Sequence, residues 1–188
     1  MPLWLTEHEH AVVAAAADRL IPPHDEHPGG AALGVADYID GLLGAFEVDP
    51  PRIWAGGPFS GRAGGESSFD QFMELSALEE LAWRTRIEGS RGMVERERNG
   101  AVIGWQQQYR EGIAELGHDF LEATLDEQDA RLSEHRDFKR LLYAHACEGA
   151  YAAPEYGGNR GLAGWTAIKF GGDVQPRGYT DEEVAGRG

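Results

Sequence analysis

The sequence predicts a mainly α, single helical domain of about five to six helices, with long Gly/Pro-rich loops and an extended aromatic C-terminal tail. Three observations lead there. Apolar residues recur at helical spacing through most of residues 1–149. Thr6-x-x-Glu9 and Thr124-x-x-Glu127 each have the form of a capping box that opens a helix. After Gly149 the periodicity stops, and glycines and aromatics replace it. The chain has 188 residues, a length that one domain and one core accommodate. Its expected organisation is a core over 1–149 with a Gly/Pro-rich arm at 48–68, and a tail over 150–188 in the same domain.

The first helix follows the Thr6 box. Val12, Val13, Ala16 and Leu20 keep helical spacing, and Pro22-Pro23 ends the run. A polar loop leads to Val35, Tyr38, Ile39, Leu42, Leu43 and Phe46, spaced i, i+3, i+4, i+7, i+8 and i+11. That spacing is a helix with a wide apolar face. The arm at 48–68 contains three prolines and five glycines, yet also Trp54 and Phe59. Disordered linkers are poor in aromatics, so these two residues point to an arm that orders on a partner.

Ser68 is expected to cap a helix through Phe69, Phe72, Met73, Leu75, Leu78, Leu81 and Ala82. Residues 88–100 are charged and glycine-bounded, which reads as a break. Helices then follow over 103–116 and from Thr124, and a last one runs over about 133–149 with Phe138, Leu141, Leu142, His145 and Ala146 on its apolar face. The final 39 residues hold nine glycines and two prolines, and also Tyr151, Tyr156, Trp165, Phe170 and Tyr179. Such a segment reads as an extended tail in which the rings are anchors and the glycines allow close backbone approach.

The net charge of −15 disfavours nucleic acid and anionic membranes as partners. The longest apolar run near the start, residues 11–17, is far short of a membrane span, so no direct membrane insertion is expected. That run follows acidic and histidine residues rather than basic ones, so the chain is expected to carry no export signal of its own. It is read as cytoplasmic as given, and as exported if a signal was trimmed or a partner carries one. Cys147 is the only cysteine, which rules out an internal disulfide, an iron–sulfur cluster and CxxCH haem attachment. It reads as a buried thiol or as one facing another chain.

The glycines of YGGNRGLAGW, residues 156–165, fit neither the G-x-G-x-x-G dinucleotide fingerprint nor a P-loop. Tyr156-Gly157-Gly158-Asn159 instead reads as a tight turn formed by Gly157, Gly158 and Asn159, with Asn or Gly in positive φ. His24-Asp25-Glu26-His27 has metal-ligand chemistry, but adjacent residues on a loop seldom converge on one ion. His145 and Cys147 stand at i and i+2, so on a helix they do not face each other as a nucleophilic pair. No G-x-S-x-G is present. Catalytic, cofactor-binding and metal residues are therefore all expected to be absent from this chain.

Two stretches, AADRLIPPHDEHPGGAALGVADYID (residues 16–40) and HACEGAYAAPEYGGNRGLAGWTAIKFGG with QPRGY (residues 145–179), resemble the gluconate 2-dehydrogenase subunit 3 family in order, spacing and identity. Ala153 departs from the Asp common there, and Lys169-Phe170-Gly171-Gly172 departs from Gly-Tyr-Pro-Gly. The resemblance implies a non-catalytic small subunit. Its partner would be a large FAD-dependent dehydrogenase of the glucose–methanol–choline type, often joined by a cytochrome c subunit. The large subunit would hold FAD and oxidise a sugar, polyol or sugar acid. Trp54, Phe59, Cys147, Tyr151, Tyr156, Trp165, Phe170 and Tyr179 are then the expected partner contacts. The alternative is a stand-alone metal- or ligand-binding helical protein that uses the His24–His27 loop.

Overall fold

The computed structural model describes residues 1–54 and 73–171. Eight α-helices and no strands occur among these residues: α1 Glu7–Leu20, α2 Gly29–Ala32, α3 Val35–Leu43, α4 Ala77–Glu88, α5 Trp105–Leu116, α6 Leu125–Glu134, α7 Arg136–Tyr151 and α8 Ala163–Ala167. The two helices beyond the expected count, α2 and α8, are about one turn long. A segment that short has no periodicity to read. No described helix is long and apolar enough to cross a membrane.

Local chemistry sets the helix starts. At Thr6, Ser76 and Thr124 the side chain accepts a bond from the N3 backbone N–H. The N3 glutamate accepts in return from the cap's own N–H, at 2.8 Å in each case. Each box satisfies two donors that a helix otherwise leaves without partners. α4 corrects the sequence reading. Residues 73–76 are not helical, so Met73 and Leu75 precede the helix, and the capping residue is Ser76 rather than Ser68. Ser68, Phe69 and Phe72 lie outside the described residues.

α1 is the hub of the core. It packs on α2, α3, α5, α6 and α7, and α3 packs along α7. Val12, Val13, Ala16 and Ala17 on α1 meet Ile39 and Leu43 from α3 and Leu142 and Ala146 from α7 in one apolar cluster. The N-terminal segment is tied down by Asp40. Its buried carboxylate accepts the backbone N–H groups of Leu3, Trp4 and Leu5.

The C-terminal segment is not an extended ribbon as far as residue 171. α7 continues to Tyr151. Two 3-10 turns, Pro154–Tyr156 and Arg160–Leu162, and then α8 fold the chain back. Polar side chains make this compaction possible where apolar periodicity is lacking.

Candidate partner interface

Asn159 clasps the returning chain to the end of α7. It is 0% exposed and sits in the left-handed region at φ 45°, a conformation asparagine tolerates better than most residues. Its backbone N–H donates to the Gly149 carbonyl at 2.7 Å. Its side-chain amide donates to the Ala152 carbonyl at 3.0 Å, and its side-chain oxygen accepts from the Gly164 N–H at 2.9 Å. One residue thereby joins α7, the turn and α8.

Two glycines permit that approach. A Cβ on Gly158 would lie 2.0 Å from the Gly149 carbonyl oxygen, and one on Gly164 would lie 2.0 Å from that of Ala150. Gly157 adds positive φ, at 105°. These glycines bring backbone against backbone, and no phosphate cradle results. Arg160 extends the clasp: its N–H donates to the Leu33 carbonyl at 3.1 Å, and its guanidinium pairs with Asp37 on α3. Asp37 also holds His10 of α1 at 2.9 Å.

The clasp forms one rim of a cleft of about 750 Å³. Tyr38 and Leu42 of α3, Trp83 of α4, residues 48–50 and 52–54, and Glu155, Tyr156 and Gly157 line it. Trp54 and Tyr156, whose ring centroids are 5.7 Å apart, bring two of the expected contact residues together at this cleft. Tyr156 is 39% exposed. Burial, and next the nearby Glu155, raise its phenol pKa. Tyr38 donates to Glu148 at 2.8 Å, and burial with that bond raises its phenol pKa as well. Sequence reasoning missed Tyr38 and Trp83. Both sit on helices that were read only for their core faces.

The other expected contacts are distributed differently. Trp165 is 6% exposed and packs against its own chain, with its indole N–H donating to the Tyr151 carbonyl at 2.7 Å. Its buried face is thus directed at α7 rather than outward. Phe170, 43% exposed, stacks edge-on against Trp165 at 5.0 Å. Tyr151 and Cys147 are half-buried on α7. Phe59 and Tyr179 lie outside the described residues.

His27 and His145 are occupied within the fold. His27 Nδ1 accepts the Gly29 N–H at 3.1 Å, which places the ring proton on Nε2, 3.0 Å from the Tyr151 hydroxyl. Burial, and then the neighbouring His24, lower its pKa. His24 and His27 close a turn through paired backbone bonds of 2.8 and 2.9 Å, and their rings stack at 5.5 Å. A metal at His27 would have to break one of its two ring contacts. His145 lies in the core, with Nδ1 3.0 Å from the Tyr109 hydroxyl, and burial lowers its pKa to about 4. Among the described residues no three His, Cys, Asp or Glu side chains cluster in a metal-binding arrangement.

The family model for gluconate 2-dehydrogenase subunit 3 matches residues 7–172, from the start of α1 through the clasp and α8. No curated protein and no solved structure matches the chain.

Proposed function

The chain belongs to the gluconate 2-dehydrogenase subunit 3 family, and on that premise we propose that it is the non-catalytic small subunit of an FAD-dependent dehydrogenase complex. The family's name makes it a subunit of a gluconate 2-dehydrogenase complex, with a dehydrogenase as partner. The finer reading is that the partner is a flavoprotein of the glucose–methanol–choline type. That subunit binds FAD, oxidises a sugar, polyol or sugar acid, and is held in its folded form by this chain. A cytochrome c subunit completes the electron path in such an assembly.

The observation that carries the reading is the aromatic cleft beside the clasp. The residues with chemical potential, His27 and His145, are spent on internal hydrogen bonds. Trp54, Trp83, Tyr38 and Tyr156 instead converge on one open cleft. Aromatic walls of this kind suit protein recognition, because each ring buries a large area at little conformational cost. Binding energy gained there stabilises whichever partner state is bound, by mass action.

Co-expression with the large subunit tests this. Trp54→Ala with Tyr156→Ala is expected to weaken the complex about 100-fold, equivalent to about 2.7 kcal/mol. The variant's own melting temperature should change little in comparison. Unaltered co-purification of the double variant, or substrate oxidation by the isolated chain, overturns the reading.

A further inference from the structure

α7 carries a second surface feature that shares no residue with the aromatic cleft. Arg136, Lys139, Arg140 and Tyr143 stand at i, i+3, i+4 and i+7, and so lie on one face of the helix. Arg19 and Leu20, at the end of α1, complete a groove of about 480 Å³ with them. The cations are not equivalent. Arg19 is held by Asp129 through two bonds of 2.8 Å, and Asp126 and Asp18 lie close enough to act on it. Lys139 donates to the Ser133 hydroxyl at 3.1 Å and lies near Asp129. Arg136 and Arg140 are exposed, and neither has an ion-pair or hydrogen-bond partner among the described residues. These two guanidiniums are thus the cations of the groove that are free to pair, although Arg136 also lines a second cavity with Glu111, Glu115, Glu134 and Asp137.

This placement is unusual for a chain of net charge −15. Acidic surface already keeps such a chain apart from other acidic molecules. Two arginines one turn apart with no bonded partner among the described residues present planar forks that match carboxylates. The apolar wall continues along the same face. Tyr143 is 51% exposed, and Cys147, four residues on along the same face, is half-buried.

We infer that this groove seats an acidic segment of the partner dehydrogenase subunit. Its carboxylates pair with Arg136 and Arg140, and an apolar side chain covers Tyr143 and Cys147. The inference rests on the subunit reading above and adds a second, charge-guided contact to the aromatic one.

The test titrates the purified chain against the large dehydrogenase subunit at low and physiological salt. Arg140→Glu is compared with Arg98→Glu, which makes the same charge change in the turn between α4 and α5, where no residue lines the groove. Arg140→Glu is expected to weaken binding about tenfold or more, and Arg136→Glu/Arg140→Glu about 100-fold, with Arg98→Glu below about twofold. Added salt should narrow these gaps. Alkylation of Cys147 should slow in the wild-type complex. Because Arg136 and Arg140 have no partners to lose, all variants should melt as the wild type does.

Equal binding by Arg140→Glu and Arg98→Glu, or Cys147 labelling unchanged by the partner, overturns the inference while leaving the subunit reading intact. A wild-type chain that fails to bind the large subunit defeats both. Self-association that Arg140→Glu abolishes replaces the partner segment with a second copy of this chain.

Discussion

Asn159→Ala should detach the C-terminal segment from α7. The substitution removes the donor to the Ala152 carbonyl and the acceptor for the Gly164 N–H. Each group left without a partner in a buried site costs about 1–3 kcal/mol. Alanine at φ 45° adds about 1–2 kcal/mol, because its Cβ crowds the carbonyl in the left-handed region. If water reaches part of the opened site, the total is about 4 kcal/mol. For a domain of this size, about 2–4 °C of melting temperature is lost per kcal/mol, which gives a fall of about 8–16 °C. Thermal melting followed by circular dichroism measures it, and limited proteolysis between residues 152 and 171 reports local release. Asn159→Gly supplies the internal control. Glycine adopts positive φ without the steric penalty, so it should recover about 1–2 kcal/mol of the loss and no more. A melting temperature for Asn159→Ala within about 2 °C of wild type, with no new cleavage, would show that the clasp is incidental and refute the reasoning.

Three further outcomes follow from the same geometry. Gly158→Ala should destabilise far more than Gly161→Ala in thermal melts: the first drives a Cβ to 2.0 Å from a backbone oxygen, whereas the second meets nothing within 4 Å and costs only about 1–2 kcal/mol for alanine at φ 63°. Acid should destabilise the fold through His145, whose pKa drops from 6.5 to about 4. The unfolded chain takes up a proton near pH 6.5 that the folded chain resists, so this contribution is complete above pH 6.5 and shrinks by about 3 kcal/mol as pH falls toward about 4. Denaturant melts of His145→Gln across that window should show a correspondingly shallower loss, and a slope equal to wild type would count against the assignment. Asp40→Ala should free the N-terminal segment and cost about 2–4 kcal/mol, because three backbone N–H groups lose a charged acceptor together. Hydrogen exchange at Leu3, Trp4 and Leu5 reads this directly.

Much of the architecture was legible because its causes are local. A Thr or Ser followed three residues later by Glu closes its own hydrogen bonds, so the starts of α1 and α6 could be placed from four residues each. The same logic was available at Ser76, but the apolar residues Phe69 and Phe72 drew the expected helix start upstream to Ser68. α3, α5 and α7 announced themselves through apolar spacing, since each buries one face against the hub.

The candidate site was only half legible. Its composition, glycine with aromatic rings after Gly149, marked the segment, but composition carries no direction. Whether Trp165 faces a partner or its own helix depends on the indole N–H meeting the Tyr151 carbonyl, which in turn depends on how Asn159 folds the chain back.

The sequence alone determined the helical class, two helix caps and the residues from which a binding surface could be made. Tertiary structure alone decided which of those residues are spent inward. It also decided that Arg19, 110 positions from Asp129, would be paired while Arg136 and Arg140 have no bonded partner among the described residues. The physical reason is range. Caps and helical faces are written within a few neighbouring residues, whereas burial and charge compensation arise only when distant segments pack and exclude water.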